Sequence, residues 1–195
     1  MAPAKSSCSR DSRGFSLIEV VISMGLLTAV SLGVAQLFAL SATANRIGRT
    51  QTSATALAEQ KMEQIRALTF GFDAQGMGLP VTDTTTNLAR TPHTHDGTGL
   101  NPSPGNVLDQ NVPGFVDFLD RNGDWVGTGV TAPAGAAFVR RWAIVPLPTN
   151  PNNTLVLQVL VSPLSNETGR VVSTSARQRM HGDAVLVSVK TRKAS

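Results

Sequence analysis

The chain has 195 residues, 41% of them hydrophobic and 15% charged, with a formal net charge of +4. That length holds one domain with a modest core, or a membrane segment plus a smaller head, and it excludes two full domains. The positive balance is poor support for a nucleic-acid binder: Lys5, Arg10 and Arg13, less Asp11, place +2 of it before residue 15 and leave only +2 on the remainder.

Residues 1–14 form a short basic leader that also carries the sole cysteine, Cys8, so a chain beginning after Gly14 has no thiol. From Val20 to Asn45 there is no ionisable side chain, and the next charge is Arg46. A helix over Phe15 to Leu40 would be roughly 39 Å long, enough to cross a hydrocarbon core of about 30 Å with some tilt. Positive charge ahead of such a segment keeps that end cytoplasmic and turns the remainder outward. The order of parts is not that of an ordinary secretory signal, because the small residue Gly14 precedes the apolar run. An uncleaved signal anchor, or a signal cut near Ala44, is also compatible with this composition.

Glu19 is the anomaly. A carboxylate inside a membrane helix costs about 2.5–3.5 kcal/mol on insertion scales, so it normally has a partner. Cleavage after Gly14 would give Phe15 a free α-amino group, in the same chain or a neighbouring one, as that partner. The alternative is that Glu19 rests at headgroup level near a helix N-terminus, where the dipole favours an anion by about 0.3–1 kcal/mol.

Beyond the apolar run the sequence has good helix formers and no proline, which extends the helix to about Leu68 and assigns residues 15–68 to it. Ile47, Ala54, Leu57 or Ala58, Lys61 or Met62, Ile65 and Leu68 make one apolar stripe. The first half of the helix is therefore apolar all round and the second half amphipathic. Residues 69–111 are dense in Gly, Pro, Thr and Asn and read as a long exposed loop region. "HTHD" at His93–Asp96 supplies two histidines, with no third metal ligand in view.

Residues 112–195 carry the strand signals. "VPGFVDF" (112–118) and "DWVGTGV" (124–130) flank Asn122-Gly123, a two-residue hairpin signal. Asp120-x-Asn122-x-Asp124 resembles the start of a calcium loop, with Asp117 able to converge on it. The glycine stands fourth where an EF-hand needs it sixth, and the twelfth residue is Thr131 where a glutamate is required, so turn chemistry accounts better for the stretch. "AAFVRRWAIVPL" (136–147) and "TLVLQVLVS" (154–162) form a second hairpin. Along the first of these Trp142 alternates with Phe138, Arg140 and Ile144, which predicts a tryptophan covering the helix with an arginine snorkelling beside it rather than a nucleic-acid surface. "DAVLVSVKT" (183–191) is the last strand, with alternating Val185, Val187 and Val189. The sum is an α+β chain, a long N-terminal helix packed on a small antiparallel sheet. No Ser-His-Asp, Cys-His, phosphate-loop or HExxH arrangement is readable, which argues against an enzyme.

"RGFSLIEVVISMGLL" resembles the leader and methylation motif of type IV pilins and of type II secretion pseudopilins. The resemblance implies cleavage after Gly14 by prepilin peptidase, N-methylation of Phe15, and Glu19 meeting a neighbouring subunit's terminal amine in a filament core. "ALAEQKMEQIR", "FVDFLDRNGDW" and "VRRWAIVP" are more loosely similar to PilV-type minor pilins. A minor pilin implies other major and minor pilins and the pilus assembly machinery as partners. It also implies a single-pass inner-membrane precursor with a periplasmic head, then a place in the pilus at the cell surface, and no cofactor. Many major pilins carry a proline within this helix, whereas the first proline after this leader is Pro80. The alternatives are a type II secretion pseudopilin, or a signal-anchored DNA- or ligand-binding module.

Overall fold

A computed structural model describes residues 14–73, 77–167 and 179–192. The leader's Lys5, Cys8, Arg10 and Arg13 lie outside the described residues. Helix α1 spans Leu17–Ala67, and the chain divides into two compact units, Met1–Asn45 and Arg46–Ser195. In the first, every described residue is exposed, including large apolar side chains such as Leu26 and Phe38. Such a surface has no solution in water and a ready one in lipid.

The second unit is an antiparallel sheet covered on one face by the later turns of α1. Five strands, β3 (Val116–Leu119), β4 (Trp125–Gly127), β5 (Phe138–Pro146), β6 (Thr154–Pro163) and β7 (Ala184–Thr191), lie in the order β4-β3-β5-β6-β7. A short helix, α2 (Leu164–Glu167), follows β6. Against this sheet α1 buries Ala54, Ala58, Lys61, Met62 and Ile65, the i, i+4, i+7 stripe expected of an amphipathic helix. Ile47, placed on the same stripe by sequence, is 42% exposed, so the contact begins a turn or two later. The facing layer is Phe138, Trp142, Ile144, Leu157, Val159 and Val161. A Cβ on Gly123 would come within 2.9 Å of Leu57 Cδ2, and its φ of +91° is a conformation glycine adopts without strain. The β3–β4 turn thus approaches α1 closely because residue 123 has no side chain.

Residues 69–111 are not simply an exposed loop. They contain a two-stranded ribbon, β1 (Phe70–Phe72) with β2 (Pro80–Thr82), and they bury Leu88, Ala89, Leu100 and Val107 in the main core. Asp83 holds the backbone that follows it by accepting the N–H groups of Thr85 and Thr86 at 3.0 Å each. The β3–β4 connection also differs from a two-residue hairpin. It runs through residues 120–124, and a register shift at Phe118/Leu119 leaves Val126 as an extra residue in β4.

Arg192 fastens the ribbon. Its Nη1 donates to the carbonyls of Gly71 and Val81 and to Thr82 Oγ1, and its Nε and Nη2 donate to the carbonyl of Asn152. The guanidinium also lies 4.2 Å from the centre of the Phe70 ring.

Candidate functional site

The N-terminal residues of α1 form the first site. Ser16 is the residue before the helix, and its carbonyl accepts the N–H groups of Glu19 at 3.0 Å and Val20 at 3.2 Å. Ser16 and Glu19 also have the S-x-x-E spacing of a capping box, a local signal absent from the reading of charge and apolarity alone. Glu19 lies in the first turn, where the helix dipole favours an anion. Phe15 is 82% exposed, and no atom lies within 4 Å of a Cβ placed on Gly14. Neither residue is therefore fixed by packing within this unit. An exposed glycine–phenylalanine bond and an acid one turn into an apolar helix stand together here, with no packing partner among the described residues. Chemically, that arrangement offers an exposed peptide bond to a protease and a carboxylate to a cation.

The second cluster is buried in the head and was not found from sequence. Asp117 on β3 stands directly opposite Arg140 on β5. Arg140 binds it through both oxygens, Nε to Oδ1 at 2.9 Å and Nη2 to Oδ2 at 2.9 Å. Lys61 of α1 reaches Oδ2 at 2.8 Å, donates to the carbonyl of Leu88 at 2.6 Å, and places its ammonium 4.4 Å from the Trp142 ring centre. Arg140 Nη1 completes the set on the carbonyl of Leu57 and on Gln60 Oε1. All three charged side chains are at most 2% exposed. Arg140 consequently does not snorkel as its position beside Trp142 suggested. A carboxylate on the neighbouring strand gives its guanidinium a fork-shaped partner inside the core, which water at the sheet edge could not match.

Of the four residues with calcium-loop character, Asp117 is thus turned inward onto two cations. Asp120 Oδ1 accepts the backbone N–H groups of Asn122 at 2.8 Å and Asp124 at 2.9 Å, and Oδ2 accepts Asn122 Nδ2. This is an Asx-type turn closing on Gly123. In the "HTHD" stretch, His93 Nδ1 faces the carbonyls of Asn87 and Arg90, and Asp96 accepts bonds from Thr94 and Asn87. Among the described residues no three His, Cys, Asp or Glu side chains converge as metal ligands.

Two buried cations share one buried anion, and burial pushes the Lys61 ammonium down to about 8; Asp117 opposes that push and Arg140 adds to it. Between pH 8 and 10.5 the unfolded chain binds this proton and the folded chain has released it, so stability rises with pH across that window, by roughly 3 kcal/mol in full. The chain contains no tyrosine, so no phenol ionises near the upper end of the range. Urea titrations of the detergent-solubilised chain at pH 7.5 and 10 should show the gain, and Lys61→Met should flatten most of it. An unchanged slope in that variant would assign the alkaline gain elsewhere.

Residues 9–35 match a family model, the prokaryotic N-terminal methylation motif. No curated protein and no solved structure matches the chain. The matched segment contains Gly14, Phe15 and Glu19, and it runs into the one helix among the described residues that is long and apolar enough to cross a membrane.

Proposed function

We propose that this chain is a minor pilin, a structural subunit of a type IV pilus. Prepilin peptidase cuts between Gly14 and Phe15, and the new terminus is N-methylated. Before assembly the chain waits in the inner membrane as a single-pass protein with its head in the periplasm. It then joins other major and minor pilins through its apolar helix, with Glu19 paired to a neighbouring terminal amine. The observation that carries this reading is the exposed Gly14–Phe15 bond with Glu19 one turn into a helix whose apolar residues are exposed through Asn45, inside a methylation-motif match. Prepilin processing supplies the cation that an acid in lipid otherwise lacks, and assembly covers the apolar surface.

The test is the intact mass of the protein isolated from its native membranes. Loss of Met1–Gly14 together with one added methyl group on Phe15 is the expected result. Retention of Met1–Gly14 overturns the proposal in favour of an uncleaved anchor. Where processing is found, recovery in filaments sheared from the cell surface separates a pilus subunit from a type II secretion pseudopilin.

A further inference from the structure

Charge returns to α1 abruptly. A helix over Leu17–Asn45 is about 44 Å long, and a bilayer with both headgroup layers is about 40–45 Å thick. The next residue is Arg46, and Arg49 follows one turn on, both exposed. Helix side chains lean toward the N-terminus of their helix, so both guanidinium groups reach back toward the end of the apolar run.

The head adds to this charge. Gln51 Nε2 donates to the carbonyl of Asp183 at 3.0 Å, its Oε1 accepts the N–H of Gly182 at 3.2 Å, and a Cβ on Gly182 would lie 3.4 Å from Thr50 Cγ2. The residues just before β7 are thereby held against α1 ahead of Ala54, the first residue of the helix that the sheet buries. They present Arg179 and His181, both exposed, around a Met180 that is 40% exposed. By helical spacing Arg49 stands nearly opposite the stripe of Ala54, Ala58 and Ile65, so cations lie on both sides of α1. Little answers them within the head. Among the described residues no ion pair involves Arg46, Arg49, Arg179 or His181. Asp183 accepts the N–H of Met180 at 3.1 Å and Asn166 Nδ2 at 3.2 Å, and Glu167 pairs with Arg141. Asp120 and Asp124 belong to the turn whose Gly123 meets Leu57, further along the helix than Thr50.

We infer that Arg46, Arg49 and Arg179, with Met180 and His181 beside them, form a collar that binds anionic phospholipid headgroups at the outward end of the membrane span. A guanidinium group meets a phosphate through two parallel N–H bonds, and it is less strongly hydrated than an ammonium, so it gives up water for that contact readily. A lipid surface is anionic at the headgroups and apolar just below them, and this region has the matching order, an apolar run followed at once by cations with an exposed methionine among them. A nucleic acid or a free anion would have no use for the apolar part. The inference rests on the membrane-anchored reading above, and on neither the cleavage nor the pilus.

Lipid retention tests it. The full chain, reconstituted in vesicles of mixed phosphatidylglycerol and phosphatidylcholine and then taken into mild detergent, should keep phosphatidylglycerol in preference, as counted by native mass spectrometry. Arg46→Gln with Arg49→Gln should lower that preference by about tenfold or more, and adding Arg179→Gln should lower it again. Tryptophan emission should not change, because all three side chains are exposed and in no ion pair among the described residues. Carbonate washing of the vesicles checks the span separately. A chain that washes off would overturn the membrane reading together with the inference, whereas a chain that resists washing yet keeps both lipids equally would overturn the inference alone. An undiminished preference in the double variant, no further fall with Arg179→Gln, or displacement of phosphatidylglycerol by a duplex oligonucleotide would each overturn it too.

Discussion

Asp117→Ala is expected to cost the head roughly 3–5 kcal/mol, the range for removing one partner of a buried charge pair. The reason lies in the count of charges. Among the described residues Asp117 is the only carboxylate that the ion pairs of Lys61 and Arg140 share, both oxygens are engaged, and its side chain is 1% exposed. Without it, two cations remain in an apolar environment, and Lys61 can escape only by releasing its proton. Against a typical domain stability of 5–15 kcal/mol, that loss removes a large share of the folded population's margin. The opposite substitution has a different sign of logic. Lys61→Met removes the cation in excess and keeps the Arg140–Asp117 fork, at the expense of its bonds to the Leu88 carbonyl and to Asp117 Oδ2 and its contact with the Trp142 ring. Its cost should stay at about 1–3 kcal/mol, below that of Asp117→Ala. Chemical denaturation followed by the emission of Trp142, which is fully buried beside Lys61, checks both. Equal losses in the two variants would remove the argument from charge imbalance.

Glu19→Val is expected to leave membrane insertion intact and to reduce incorporation into filaments by an order of magnitude or more. In the membrane precursor the substitution deletes a side chain worth about 2.5–3.5 kcal/mol against insertion, so insertion is if anything easier. In the assembled state proposed above, it deletes the anion that a neighbouring amine approaches, and 1.4 kcal/mol of lost pairing is already tenfold in an equilibrium constant. Glu19→Gln, which keeps the length and one acceptor oxygen, should fall between the two. The measurement is the ratio of sheared-filament to membrane-bound protein by immunoblot, with intact mass confirming that both variants are still processed. Normal incorporation of Glu19→Val would show that the acid serves the helix start alone, as its first-turn position and its spacing from Ser16 would allow.

What was readable from sequence was local and periodic. The absence of charge from Val20 to Asn45, the helical spacing of Ala54, Ala58, Met62 and Ile65, and the β5–β6 hairpin around 147–153 depend on neighbours a few residues away, and all three stand in the structure as read. The burial within residues 69–111 is not legible in sequence, because Leu88, Ala89, Leu100 and Val107 have no period. Their burial is decided by the sheet and helix they meet, with Asp83 and Arg192 holding the path between. The ion cluster was hidden for a related reason. Lys61 occupies a stripe position next to Met62, and helical spacing accepts either, while Asp117 sits between Val116 and Phe118 in a strand whose four residues are all buried. A charged residue in the middle of an all-apolar strand, matched by another on the alternation of Trp142, was the available signal. The spatial pairing of β3 with β5 was needed to read it.

The head is closed by its remotest segments. Gln51 Nε2 donates to the carbonyl of Asp183, Lys190 donates to the carbonyl of Arg66, and Arg192 donates to the carbonyl of Gly71, pairs separated in sequence by 132, 124 and 121 residues respectively. Contacts at such separations form late and slowly, because the loop must be ordered before the contact repays it. During vectorial synthesis the Ala58–Ile65 face of the helix therefore waits, uncovered by the sheet, until about seventy further residues have emerged, and the β6 edge waits roughly twenty to thirty residues more for β7. A polypeptide begun early and completed late holds its apolar face open through that interval, when aggregation and proteolysis compete with closure.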